Sequence, residues 1–397
     1  MGRVVARHVW LGPGHWLSPG ALAWDRDGVL RSVARPQRGE RARDWVLFPG
    51  LVDAHVHLQL EPLRGRRPRG FVDWVRAVIA ARRELPPAAL RASAVRALRA
   101  LLGSGTTAVG EIDSTGQSPR ALADVSLAGR CYQELLGFHL DGAAARRWCR
   151  TRSLAGTRAC PGGLSPHAPY SVSRALFAAA VRSGAPLSIH AAEIPEEQQF
   201  LHTGKGPFRD LLAELGRLPA GFRAPGVGTV RWLDELGALR ASTLLVHCQE
   251  LERGDLARIA ARGAHIAVCP GTIEYFGRTA PPVGRWLAAG VTVALGTDSL
   301  ASNSALSMRA ELRRAARLWP HVAPATLLAM ATQNGGSALV RPGLGRLRRG
   351  SRADFVAVAA GGRHTDELCA AFVHGEATLV ATWLRGRPHA AARSRRA

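Results

Sequence analysis

The chain has 397 residues, 47 % of them apolar, enough for one large core with a smaller domain beside it. No apolar run is long enough for a membrane span, and the first residues lack the continuous apolar stretch of a secretion signal. The formal charge of +23 invites a nucleic-acid reading. However, Lys205 is the sole lysine and the arginines are spread along the whole length, which points to a basic surface without a specific nucleic-acid groove. Six scattered cysteines without a C-x-x-C pair fit a reducing, cytoplasmic setting.

Residues 1–47 carry Gly/Pro turns and short strand-like pieces such as GVLRSVA. Beyond them two patterns alternate. The strand candidates are LVDAHVHL at 51–58, GTTAVGEI at 105–112, GRCYQELLG at 129–137 and GGLSPHAP at 162–169. Four more are APLSIHAAE at 185–193, STLLVHC at 242–248, AHIAVCPGT at 264–272 and VTVALGTDS at 291–299. Helical periodicity fills the gaps, for example at 87–103 and 252–262. Eight strands alternating with helices predict an α/β fold, a parallel (β/α)8 barrel of the TIM type. A doubly wound sheet is the alternative, but no Gly-rich phosphate fingerprint comes after the first strand.

After the barrel, ADFVAVA and ATLVATWLRGRP read as strands again. The expected organisation is a small β-sandwich domain from residues 1–47 plus 345–388, a barrel over 48–344, and a basic tail over 389–397.

His55 and His57 lie two apart on a strand and therefore share a face. Two buried imidazoles side by side repel when protonated and need partners when neutral, and a divalent metal satisfies both. A pair of satisfied core histidines explains many such matches. Yet His190, His247 and Asp298 also end strands, and barrel sites sit at the C-terminal strand ends. Imidazoles with a carboxylate suit Zn²⁺, or Fe²⁺, better than Mg²⁺ or Ca²⁺.

The stretches PGLVDAHVHL, SPHAPYSVS, IHAAEIPEEQQFL, LVHC and VALGTDSLASN resemble the amidohydrolase superfamily. Within it they are similar to the metal-dependent deaminases and triazine chlorohydrolases, and most to the aminodeoxyfutalosine deaminases of menaquinone biosynthesis. The resemblance implies one divalent ion held by His55, His57, His190 and Asp298. His247 and Asp298 would handle the attacking water, and Glu193 would be the acid/base carboxylate. No lysine comes after strand four, which fits the one-metal branch. The implied reaction is hydrolytic deamination of an aminated purine or nucleoside-type ring, with release of ammonia. Dechlorination of a triazine, or deamination of guanine or cytosine, is the alternative within the family.

Several positions keep two readings. Glu193 could be a carboxylate favoured at a helix N-terminus. His167 could contact substrate or cap its loop, Tyr170 could face substrate or pack, and Glu111 could bond ribose hydroxyls or an arginine. Ser299 and Asn303 read as loop-holding residues, and Trp232, Trp286 and Trp319 as packing residues. The loop after strand seven departs from the family pattern at Gly271 and Thr272. The expected partner is a small-molecule substrate, with no membrane, and a homodimer is compatible with this reading. The distant alternative is a basic nucleic-acid-binding protein.

Overall fold

A computed structural model describes residues 1–65, 70–152 and 156–390. The N-terminal strands are β1 (Gly2–Gly12), β2 (His15–Leu17), β3 (Gly20–Trp24), β4 (Leu30–Ala34) and β5 (Arg43–Pro49). The barrel strands are β6 (Leu51–Val56), β7 (Thr106–Asp113), β8 (Ala128–Leu135), β9 (Gly162–Pro166), β10 (Leu187–Ala191), β11 (Thr243–His247), β12 (His265–Val268) and β13 (Val293–Leu295). The chain ends with β14 (Phe355–Ala359), β15 (Leu379–Leu384) and β16 (Arg387–Ala390). Each strand candidate of the barrel thus has its counterpart. The helix expected at 87–103 spans Pro87–Gly103. The one expected at 252–262 starts later, at Asp255, because its carboxylate accepts the Glu252 N–H and Gly254 takes a left-handed turn, φ +91°.

The two termini share one eight-stranded sheet, ordered β16-β15-β14-β5-β1-β3-β4 with β2 on β1. β14 pairs antiparallel with β5, so the end of the chain zips onto its beginning. Alternation on this pair serves two cores. Val46, Phe48, Val356 and Val358 pack toward the barrel, while Leu47, Phe355 and Ala357 pack within the terminal sheet. A helix at Thr365–His374, which the strand-like reading of 351–388 did not separate, sets Phe372 against Phe48 with ring centroids 4.7 Å apart. Trp232, Trp286 and Trp319 all lie in the main core. The tail over 389–397 falls largely outside the described residues.

The eight barrel strands pair in parallel and in sequence order from β6 to β13. The last seam closes through Asp298, which pairs with Val56. The Asp298 N–H donates to the His55 carbonyl at 2.9 Å, and the His57 N–H donates to the Asp298 carbonyl at 2.7 Å. One step deeper, the fully buried Asp53 carboxylate accepts the Thr297 N–H at 3.0 Å and the Thr297 hydroxyl. Barrel closure therefore fixes β6 against the β13 end at the very residues singled out for a metal.

Local irregularities aim the side chains. Val52 and Ala54 pack in the barrel interior, so unbroken alternation would turn His55 and His57 to the opposite face. Between Asp53 and Val56, β6 carries one residue more than β7, and such a bulge re-aims the side chains beyond it. His247 comes directly after the interior Val246 and is turned back by its own φ of +75°. Asp298 has φ +58° and Ala192 +49°. Non-glycine residues in the left-handed region cost about 1–3 kcal/mol each and persist where the surroundings impose them. Asp53→Ala, which empties the latch on Thr297, is expected to lower unfolding free energy by about 2–4 kcal/mol in urea denaturation. An unchanged midpoint would show that the seam does not depend on it.

Candidate metal centre and its pocket

His55, His57, His190 and Asp298 each offer one donor atom, and these atoms lie within 4.8 Å of one another. His57 Nε2 is 3.4 Å from His190 Nε2, and Asp298 Oδ1 is 3.7 Å from His55 Nε2 and 3.8 Å from His57 Nε2. Donors about 2 Å from one ion in a tetrahedron sit roughly 3.3 Å apart, close to these spacings.

The remaining atoms of the four groups are spoken for in a way that suits a cation. Asp298 Oδ2 accepts the Thr272 hydroxyl at 2.8 Å and the Ser302 hydroxyl at 2.7 Å, leaving Oδ1 for the centre. His190 Nδ1 lies 3.1 Å from the His167 carbonyl, which fixes Nε2 as its free nitrogen. Both nitrogens of the fully buried His55 ring lack a hydrogen-bond partner among the described residues. An orphaned buried imidazole is costly, and a metal ion removes the cost. The residues present fit a divalent ion.

Electrostatics agree. Burial lowers His55 and pushes His57 and His167 well below the usual imidazole range; it brings His247 down to about 4. Neutral imidazole is the form that binds metal. Burial alone would raise the Asp298 carboxyl, but the neighbouring His55, together with His247 and His57, holds it well below the usual carboxylate range.

Glu193 and His247 complete the inner end, with Glu193 Oε2 3.7 Å from His247 Nε2. Glu193 is set by Glu197, whose carboxylate accepts the N–H groups of Ala192 and Glu193 and the Thr229 hydroxyl. Above this end opens a cavity of about 400 Å³. His167 and Tyr170 line it. His167 Nδ1 also meets the Ser171 hydroxyl at 2.8 Å, so it caps its loop and faces the cavity at once. Tyr170 stacks on Phe208 with centroids 3.8 Å apart.

Glu111, expected to meet either ribose hydroxyls or an arginine, is not among the residues that line the cavity. Its carboxylate accepts the Leu58 N–H at 3.1 Å and the Ser118 hydroxyl at 2.6 Å, and it is fully buried. With both oxygens so engaged, it braces the chain just past His57. Ser299 lines the cavity while Asn303 holds the loop, donating to the Thr297 carbonyl and to Glu311.

Sequence reasoning left several residues without a role. Thr272 was singled out only as a departure; it orients Asp298. Gly271 beside it is needed, because a Cβ there would lie 2.2 Å from the Asn303 amide. Arg278 donates to Glu193 Oε1 at 3.0 Å. Phe71, Trp74, Glu134, Arg82 and Arg217 line the outer cavity. Nothing in the local sequence marks them; apart from Glu134 on β8, they come from helices and loops whose approach depends on the whole barrel.

Residues 46–388 match the family model described as the amidohydrolase family. The aminodeoxyfutalosine deaminase of Deinococcus radiodurans is 35 % identical over 342 residues, covering 79 % of this chain and 78 % of that protein. A crystal structure of the Helicobacter pylori aminofutalosine deaminase with methylthio-coformycin superposes with a TM-score of 0.85 at 22 % identity, covering 98 % and 100 % of the two chains. An adenosine deaminase from Xanthomonas campestris, solved with bound zinc, gives 0.78 at 23 % identity, covering 97 % and 92 %. The chain belongs to the amidohydrolase family. Within that family it is a hydrolytic deaminase acting on a small molecule. Among the described residues no helix is long and apolar enough to cross a membrane.

Burial pushes the Glu197 carboxyl up to about 7. The folded protein thus keeps a proton that the unfolded chain releases near pH 4.5. The group's contribution to stability is full below about pH 4.5 and is lost as pH rises toward 7, by on the order of 3 kcal/mol. Glu197→Gln is expected to flatten that window of the unfolding profile. An identical pH dependence in the variant would contradict the assignment.

Proposed function

We propose that this protein hydrolytically removes the exocyclic amine of an adenine-type ring, with aminodeoxyfutalosine as the substrate, using one zinc ion held by His55, His57, His190 and Asp298. The observation that carries the reading is the Glu193 carboxylate standing 3.7 Å from His247, beside that four-donor cluster, at the floor of a cavity large enough for a nucleoside-sized molecule. Triazine dechlorination needs no more than the same water; the reading favours deamination because Glu193 is placed to protonate a ring nitrogen.

The ion, when bound, supplies a Lewis acid that activates water near neutral pH. Asp298, one of the four donors, and His247, beside them, would orient the water and take up a proton from it. Glu193 takes one proton of the attacking water and hands it to the ring nitrogen next to the aminated carbon, which makes that carbon electrophilic. Water oxygen adds to the carbon, the amine receives the water's other proton from His247 or Asp298, and the C–N bond breaks to give the oxo product and ammonia. His167 and Tyr170 shape the ring's berth from the side of β9. General acid–base help of this kind contributes roughly 10²- to 10⁴-fold.

The outer cavity supports an anionic tail on the substrate. Its walls are apolar, from Phe71, Trp74, Val78 and Leu211, and Arg82, Arg83 and Arg217 line it as well. Arg83 is exposed and the other two are half-buried, so this end faces solvent.

His190→Ala should abolish both bound zinc and ammonia release, as read by metal analysis and an ammonia assay. Glu193→Gln should keep the metal and lose turnover by at least about 10²-fold; deamination at the wild-type rate would remove its assigned role. Arg217→Ala should raise KM for a carboxylate-bearing adenine nucleoside by about tenfold and leave KM for adenosine within about twofold. Equal effects on both substrates would place the anion elsewhere.

A further inference from the structure

Glu193 does not stand alone. Arg278, from the loop after β12, donates through Nη1 to Glu193 Oε1 at 3.0 Å, and the two side chains are only 15 % and 5 % exposed. The guanidinium carbon lies 4.5 Å from the centroid of Phe276 and 5.1 Å from that of Phe71. These rings are themselves packed: Phe71, Trp74 and Phe276 sit 5.4–5.5 Å apart, and the Trp74 indole N–H donates to the Ala301 carbonyl at 2.9 Å. The planar cation thus packs against a pair of neighbouring aromatic rings, which restricts its rotamer. Its Nη2 is buried with no hydrogen-bond partner among the described residues, so Glu193 is the carboxylate that anchors it.

We propose that Arg278 is a positioning residue for the acid–base carboxylate: packed against Phe71 and Phe276, it holds Glu193 by Oε1 and so presents Oε2 to His247 and the reacting ring. This inference rests on the deaminase reading for Glu193. The geometry divides the carboxylate's two oxygens between two tasks. Oε1 faces the guanidinium, and Oε2 faces the imidazole. The Glu197 carboxylate holds the backbone of residue 193, and Arg278 holds its side chain, so each end of the glutamate has its own fixture. These contacts also join three separate pieces of chain, the helix Phe71–Arg83, the loop after β12 and the loop after β10, along the wall of one cavity. A carboxylate left to wander by an ångström loses much of its value as a proton donor.

The test is a double-mutant cycle on the metal-loaded full chain, with two readouts. In the first, ammonia release is monitored with adenosine and a carboxylate-bearing adenine nucleoside. Arg278→Met is expected to lower kcat by about 30- to 100-fold with KM within about threefold and bound metal unchanged. Arg278→Lys should recover part of the loss. Adding Arg278→Met to Glu193→Gln should cost nothing further, because the positioned group is already gone. Multiplying effects, or wild-type kcat in Arg278→Met, would overturn the proposal. The second readout needs no turnover. Arg278→Met strands a buried carboxylate and should lower the thermal unfolding midpoint, and Glu193→Gln in the same chain should restore most of it. No drop, or a further drop in the double variant, would show that the pair is not coupled. A wild-type protein that releases ammonia from none of these substrates overturns the adenine-type substrate reading, while the unfolding cycle still decides on the Arg278–Glu193 pair.

Discussion

Two backbone hydrogen bonds, from Asp298 to the His55 carbonyl and from His57 to the Asp298 carbonyl, join the first barrel strand to the end of the eighth. The same two segments carry three of the four donor groups. Closing the cylinder and assembling the centre are therefore one event. The geometry of the centre is set by parallel-strand spacing and not by flexible loops, which is how a site holds donors to within fractions of an ångström. Asp53 and Thr297 lock the seam one layer below, and the bulge in β6 and the left-handed His247 and Asp298 turn the side chains toward the mouth. The strain sits where the donors are, and the buried surroundings keep it there.

This construction puts many titratable groups into a region with little water. His55, His57, His167 and His247 respond by staying neutral, which is the state a ligand or proton acceptor needs. Asp298 stays ionised because imidazoles and two hydroxyls surround it. The carboxylates away from the centre, Glu111, Glu197 and Glu311, act as braces: each accepts at least one backbone N–H from a segment just past a barrel strand. The polar interior is thus divided into donors that face the cavity and carboxylates that hold the loops in place. Both are buried, and burial alone does not separate them.

That division explains what could be read from the sequence. The strands were legible because each ends in Gly, His, Asp or Pro after an apolar run, and the four donors because they close strands one, five and eight of one repeating pattern. The terminal sheet was legible from strand-like pieces at both ends that lacked a core of their own. Glu111 looked like a pocket residue because it sits near a strand end; its two oxygens are claimed by Leu58 and Ser118, a fact of tertiary contact. Thr272 stood out only as a departure from a pattern, and its bond to Asp298 needs strand seven beside strand eight to make sense. Arg278 is one arginine among many, and only its place against Phe71, Phe276 and Glu193 distinguishes it.

The arrangement asks for a single cation shared by His55, His57, His190 and Asp298. The most direct check is a crystal of active protein measured on both sides of the zinc absorption edge. The account predicts one anomalous peak per chain, about 2 Å from one nitrogen of each of the three histidines and from Asp298 Oδ1. A pair of peaks, a peak coordinated by other residues, or no peak in fully active protein would contradict it.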